Sequence, residues 1–390
     1  MQHEIRRWRL QRLQGKTVKK QLINLAKYGL GFGVLAWVIS SNWAPGGPGT
    51  GLSGLLKPPR LGPLVAASLI YLVSVLITFV RWYVLVRAQD LPFTLINALR
   101  LGLIGLFFST CFPGSVGGDV VKAYCIAREQ DRRTVAVATV VIDRVVGLWA
   151  LFWLVVLSAA AFWLAGDSSL ETNADLQKIV LGTTAVIAVS SVVCLVLMLL
   201  PQRAADWLDS RINAIPRLGH TLAQLWRAVW MYRNRWRSVL LALAMSLVGH
   251  CGFVLTFYFA AQVFLAPAQE PLLPSLAENF LVVPVGMAIQ AGFPTPGGIG
   301  GGEAGFGWVY SLVGSPPVGN LTQEELGVAG SLTQRLITWV LGVIGYFVYL
   351  QMKPQIEVAE EAAAAAEANG DGAPLPESSP AVAVNQPHTA

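Results

Sequence analysis

Apolar residues fall in long blocks rather than in the alternation of half-buried strands or the narrow stripes of soluble helices. Blocks over Leu22–Ser41, Leu61–Val86, Thr134–Leu164, Ile179–Leu200, Ser238–Leu265 and Leu326–Leu350 each offer enough residues to cross a bilayer, which takes roughly 20 per helix. Two more blocks are interrupted. Leu95–Phe112 stops at Pro113–Gly118 and resumes as a short helical stretch to Arg128. Leu276–Gly292 stops at Pro294–Gly302 and resumes to Val313. The pattern predicts an all-α polytopic membrane protein with about six full spans plus two re-entrant helical hairpins. Between the blocks, Asn42–Arg60 reads as a Gly/Pro loop and Gly166–Asp175 as an acidic loop. Gln202–Arg237 is basic and amphipathic, and Trp207, Trp226, Trp230 and Trp236 suit it to the membrane interface.

Composition agrees. Of the 390 residues, 54% are hydrophobic and 13% charged, against roughly 25% charged in a soluble domain. That excludes a disordered chain, a nucleic-acid-binding arm and most soluble enzymes. The net charge of +6 is mostly a topology signal. Lys and Arg crowd residues 1–21 (Arg6, Arg7, Arg9, Arg12, Lys16, Lys19, Lys20) and the 202–237 stretch, and such segments stay in the cytoplasm. Gly166–Asp175, Ala266–Ser275 and Gly314–Glu325 carry none and should face outward; Lys57 and Arg60 are exceptions. Arg87 and the group Arg128, Arg132 and Arg133 then hold both ends of the first hairpin inside, whereas the second hairpin starts and ends outside. The expected location is the cell inner (plasma) membrane, multi-pass, with both termini cytoplasmic. Arg81, near a cytoplasmic end, is expected to snorkel. The Ala-, Pro- and Glu-rich residues 353–390 are expected to be disordered.

The two interruptions resemble each other. One reads Pro113-Gly-Ser-Val-Gly-Gly-Asp119 and the other Pro296-Gly-Gly-Ile-Gly-Gly-Gly-Glu303. A helix follows each, and later an arginine inside an apolar span, Arg144 and Arg335 respectively. Repeat 1 covers about 61–164 and repeat 2 about 238–350, with 179–200 as a linker span and 202–237 as the basic amphipathic segment. Span, hairpin, span in opposite orientations is the inverted repeat of secondary transporters.

Pro113, Gly114, Gly117, Gly118, Pro296, Gly297, Gly298 and Gly300 form the hairpin backbone. Proline removes a donor and ends a helix. Glycine lets the chain turn and lets a ligand approach it. The helix that follows each break aims free N–H groups and its positive end at the gap, a ready anion site. Asp119 and Glu303 stand where those helices begin. They either cap the helices or contact a cationic headgroup or coupling ion. An unpaired intramembrane arginine costs roughly 2.5–3.5 kcal/mol, so Arg144 and Arg335 need partners. Either they form structural ion pairs, such as Asp143 with Arg335 or Asp119 with Arg144, or their guanidinium forks bind a phosphate. Lys122, Arg100, Glu278 and His250 are further candidates for substrate contact.

Other motifs carry less. Cys111, Cys125, Cys194 and Cys251 form no CxxC pair, and His3, His220, His250 and His388 lack zinc-ligand spacing. No cofactor and no metal is expected. Gly300–Gly305 spells GxGxxG, but no strand precedes it. Gly15-Lys16-Thr17 lacks the upstream glycine of a P-loop, and Ser115 misses the nucleophile-elbow pattern at its first position. Asn320-Leu-Thr322 is a glycosylation sequon.

Three stretches together carry a family resemblance: Phe112-Pro-Gly-Ser-Val-Gly-Gly-Asp-Val-Val-Lys-Ala-Tyr124, Ile142-Asp-Arg-Val-Val-Gly-Leu148 and Pro294-Thr-Pro-Gly-Gly-Ile-Gly-Gly-Gly-Glu-Ala-Gly305. The chain resembles the lysylphosphatidylglycerol synthase transmembrane-region (flippase-like) family over about residues 20–352. The resemblance implies movement of a phospholipid or lipid-linked intermediate between leaflets. The chain departs from the family in carrying Ser109, Thr110 and Cys111 where members often place Asn before the first Pro-Gly. No soluble aminoacyl-transfer domain follows Lys353, so synthase activity is expected to be absent. The expectation is a lipid translocase (flippase or scramblase) rather than an enzyme, with lipid and membrane but no nucleic acid as partners. Three alternatives stand beside it. One is a lipid-modifying membrane enzyme working through Asp119, Asp143, Glu303 or His250. The second is a non-transporting partner of a separate transferase, docked through Gln202–Arg237. The third is a small-anion transporter.

Overall fold

A computed structural model describes residues 25–47, 50–55, 57–112, 117–166, 173–215, 219–266, 270, 273–313 and 321–368. The basic segment 1–21, Pro113, Gly114, Asn320 of the sequon and residues 369–390 of the tail lie outside them. The described residues fold as helices and loops, with no strand among them. In lipid a helix satisfies its backbone groups within its own segment, so apolar blocks of this length have few other folds open to them.

The helices are α1 (25–43), α2 (Leu61–Arg87), α3 (Leu95–Cys111), α4 (Gly117–Glu129), α5 (Arg133–Leu164) and α6 (Ala174–Leu199). They continue as α7 (Gln202–Asn213), α8 (Gly219–Asn234), α9 (Trp236–Gln262), α10 (Leu276–Gly292), α11 (Gly301–Ser311) and α12 (Gln323–Ala368). Five of them, α2, α5, α6, α9 and α12, are long and apolar enough to cross a membrane. Helix α1 occupies the place of the first expected span. The protein is therefore a polytopic membrane protein.

Helices α2 and α9, the first spans of the two repeats, pack together in antiparallel fashion. At one end Arg60 N donates to Val263 O at 2.8 Å. At the other, Tyr232 Oη donates to Leu85 O at 2.9 Å, and Arg235 meets Asp90 at 2.7 Å. Helix α3 follows the C-terminus of α2 and α10 follows that of α9, so the two hairpins start from opposite ends of the bundle. Each folds back on itself, α4 against α3 and α11 against α10. Helices α5 and α12 complete the two halves. The repeat is inverted, as the placement of Lys and Arg predicts.

Small residues bring these helices close, the usual device where lipid leaves no hydrophobic drive between them. A Cβ on Gly252 of α9 would collide with Ser74 Oγ of α2, and one on Gly118 of α4 would collide with Gly105 O and Ser109 Oγ of α3. The largest core sits under the second hairpin. There Phe257 stacks on Phe306 with ring centroids 4.3 Å apart, and Tyr310 packs beside them. Tyr310 Oη donates to Asn279 Oδ1, and Asn279 Nδ2 donates to Pro274 O at 2.9 Å. The buried side chains of Tyr310 and Asn279 are thus paired. Helix α6 packs against α5 and leaves nearly all of its own surface uncovered.

The basic segment is two helices, α7 and α8, joined by the bidentate pair of Arg227 with Asp209 at 2.8 and 2.7 Å. The hydrogen bond from Arg227 holds the Asp209 carboxyl below its ordinary range. Its contribution is present near neutral pH and is lost as pH falls through that lowered value. The expected disordered tail is corrected in part. Helix α12 runs past Lys353 to Ala368, because Ala and Glu are strong helix formers. The described residues from Phe347 to Ala368 fall in a second unit of the chain.

Gly118→Ala is expected to destabilise the protein by about 1–3 kcal/mol, the usual cost of overpacking. Gly62→Ala, with nothing within 4 Å of the added carbon, should change stability by less than about 0.5 kcal/mol. Thermal unfolding of the two variants in the same detergent checks both.

Candidate functional site

The second break fills the gap between α10 and α11. Pro296–Gly298 make a single tight turn, with Gly297 at φ 56° and Gly300 at φ 83°, values that suit glycine. Gly300 also lies against α1, where an added Cβ would come within 2.8 Å of Val34 Cβ. Glu303 closes the start of α11, its Oε2 accepting from Gly300 N at 2.7 Å. Its Oε1 accepts from Arg335 Nε at 2.5 Å. Arg335 uses its other nitrogens on the break itself, donating to Gly297 O at 3.0 Å and Gly298 O at 3.4 Å. The pair is deeply buried, with side-chain exposures of 6% for Arg335 and 0% for Glu303. Glu303 has the geometry of a cap and offers no surface to a ligand.

The first repeat is built differently around the same pattern. Asp119 stands in the first turn of α4. Lys122 Nζ lies 3.1 Å from Asp119 Oδ1 and 3.9 Å from Asp143 Oδ2. Arg144 Nη1 lies 3.9 Å from Asp119 Oδ2, and its side chain is 37% exposed. The expected pairing of Asp119 with Arg144 is therefore present, as an ion pair too long for a hydrogen bond. The other expected pairing, Asp143 with Arg335, is absent. Asp143 Oδ1 accepts instead from Arg81 Nε at 2.8 Å, and Arg81 Nη1 donates to Ser246 Oγ at 2.8 Å. Arg81 does not snorkel; it is buried between α2, α5 and α9 because a carboxylate and a hydroxyl await it there.

Other candidates divide plainly. His250 Nε2 contacts Gly147 O at 2.9 Å, and its Nδ1 is buried with no hydrogen-bond partner. Glu278 closes a capping box with Ser275 at the start of α10, one full helix before the break. Arg100 is not brought to the site. It is exposed on α3, whose packed face carries Ala98, Leu101, Gly102, Ile104 and Gly105.

The C-terminal end of α3 meets the second break, so the two interrupted hairpins share a space. One cavity of about 280 Å³ has Tyr71, Ser109, Thr110, Arg144, Gly297 and Arg335 in its wall. A second, also about 280 Å³, is lined by Arg81, Asp119, Lys122, Asp143, Arg144 and His250. Tyr71, Leu106, Ser109, Arg144, Phe253, Met287 and Ala291 line both, which makes the two contiguous. The result is a charged chamber inside a body of apolar helices, with Arg144 at the junction. Among the described residues no group of three His, Cys, Asp or Glu side chains could hold a metal ion.

No solved structure matches the chain. A UPF0104 membrane protein of Pyrococcus horikoshii is 30% identical over 129 residues, which cover 32% of this chain and 36% of that protein. The match thus spans about a third of the relative's length. The profile of the lysylphosphatidylglycerol synthase TM region matches residues 24–345, both hairpins and the chamber between them included, and the chain belongs to that family.

Proposed function

We propose that the protein moves a phospholipid or lipid-linked intermediate between membrane leaflets. The observation that carries this reading is the chamber where the end of α3 meets the second helix break. A lipid headgroup needs polar company on its way through the hydrocarbon layer, and a buried polar group without partners is strongly disfavoured. The chamber supplies carboxylates, cations and hydroxyls at that depth, while the acyl chains stay in lipid. Breaks in helices are tolerated at membrane depth where protein buries them or where they line a wet cavity, and the second break lies in the wall of one cavity through Gly297.

Within this reading the two arginines have separate tasks. Arg144, half-exposed and in the wall of both cavities, is the contact for the headgroup phosphate. Arg335 and Glu303 hold the second break in shape. The orientation follows from charge. Arg87, Arg128, Arg132, Arg203, Arg233 and Arg235 fall at the end of the bundle where α2 finishes and α9 begins, which supports a cytoplasmic face there. Lipid is carried unmodified, without synthase chemistry.

In proteoliposomes of the purified full-length chain, labelled phospholipid should exchange between leaflets and be recovered unchanged in mass. A new covalent product would favour a lipid-modifying enzyme instead. Arg144→Ala should slow exchange at least tenfold while altering stability by less than about 1 kcal/mol, as for a partly exposed ion pair. An unchanged exchange rate would remove Arg144 from the site. Glu303→Gln should act through stability, with a loss of about 3–5 kcal/mol because a buried guanidinium is left without its carboxylate. An unshifted melting temperature in detergent would contradict the structural role.

A further inference from the structure

We infer that the gap between α5, α6 and α8 is a binding site for one acyl chain of an anionic phospholipid, which the protein holds rather than carries. The site lies outside the chamber and does not depend on the lipid-translocation reading. Its basis is a cavity with apolar walls and an arginine at its edge.

Helices α6 and α8 both pack on α5. Between them lies a cavity of about 300 Å³. Helix α5 contributes Ile142, Val145, Val146 and Trp149, at helical spacing. Asp143, Arg144, Gly147 and Leu148 line the chamber from another face of the same helix. Helix α6 adds Cys194, Leu197 and Met198, and α8 adds Trp226, Val229 and Trp230. Polar side chains in the wall are turned to the protein. Trp149 Nε1 donates to Ser190 Oγ at 3.0 Å, Ser190 Oγ donates to Ile187 O at 3.1 Å, and Tyr232 Oη donates to Leu85 O at 2.9 Å. A polar solute finds few partners there, and apolar cavities of this kind stay dry.

What fills the cavity follows from where it opens. Val145, Cys194, Met198 and Val229 are exposed, and α6 leaves nearly all of its surface uncovered. The neighbouring medium on that side is hydrocarbon. An empty gap forfeits dispersion contacts on every wall, and an acyl chain restores them without asking for a hydrogen bond. Charge sets the headgroup end. Arg233 lies in the cavity wall, stacks over the Trp230 ring at 4.8 Å from its centroid, and donates to Leu200 O at 2.6 Å. Trp226 lies beside Trp230, with ring centroids 5.5 Å apart. Segment 202–237 carries seven Arg against two Asp, and Arg227 already takes Asp209. A headgroup of net negative charge complements this excess at the membrane surface, and the aromatic rings suit the boundary between chain and headgroup. Seated there, the lipid ties α6 and α8 to the side of α5 away from Asp143 and Arg144.

The test places the full chain in phosphatidylcholine nanodiscs with a trace of phosphatidylglycerol or phosphatidylcholine that bears a diazirine in one acyl chain. After irradiation, mass spectrometry maps the labelled peptides. Peptides of α6 and α8 report the cavity, because the residues that line the chamber come from other helices. Label from phosphatidylglycerol should be at least fivefold denser on Cys194, Leu197, Met198, Trp226 and Val229 than on Val189, Val192 and Val196, which are exposed on α6 outside the cavity. Phosphatidylcholine should label the cavity at least threefold less than phosphatidylglycerol. Arg233→Gln should bring the two lipids within about twofold of each other, and Arg233→Lys should retain most of the difference. Wild-type label no denser in the cavity than on the outer positions of α6 would overturn the site, leaving only lipid that surrounds the helix. Equal cavity label from the two lipids in the wild type would overturn the anionic headgroup. Both results are separate from the exchange assay above, which reads whether lipid crosses the bilayer.

Discussion

A helix broken inside an apolar body leaves carbonyls and N–H groups that the helix no longer pairs, and everything at the centre of this protein answers to that constraint. At the second break the answer is a single guanidinium. Arg335 comes from a different element, α12, and spans Glu303, Gly297 O and Gly298 O in one reach. Glu303 in turn holds the N–H of Gly300. The ion pair and the backbone geometry thus depend on each other. The carboxylate neutralises the arginine, and the arginine satisfies the turn.

The first repeat carries the same sequence pattern in different surroundings. Asp119 and Arg144 correspond to Glu303 and Arg335, yet the pair is looser and partly exposed. Two more cations, Arg81 and Lys122, and a second carboxylate, Asp143, have been built around it. One half of the inverted repeat supplies rigidity, and the other supplies a charged surface facing the shared chamber. The pseudo-symmetry is one of backbone path, with the chemistry divided unequally between the halves.

Much of this was legible in the chain before any coordinates. Block length gave the spans, and the Pro-Gly interruptions gave the hairpins. The crowding of Arg at certain loops gave the opposed orientations, because each of these signals is local or additive along the sequence. The partner of Arg81 was not legible. It depends on Asp143 and Arg144 being neighbours on one helix, where a single residue step turns the side chain by roughly 100°. Asp143 therefore reaches Arg81 of α2, while Arg144 turns toward Asp119 and lies in the wall of both cavities. Arg100 was misplaced for the same reason, since an apolar block does not say which of its faces will be covered. The helical extension of α12 to Ala368 was missed because low hydrophobicity outweighed the helix-forming tendency of an Ala/Glu run.

Helix α1 belongs to neither repeat, yet it lies directly on the second break. An added carbon on Gly31 would come within 3.0 Å of Thr295 Cβ, and Gly300 in turn has no room for a side chain against Val34. The turn is clasped between Arg335 on one side and α1 on the other. A rearrangement that opens this hairpin must carry α1 along or slide it aside. The leading segment of the chain thus works as a latch on the half of the molecule farthest from it in sequence.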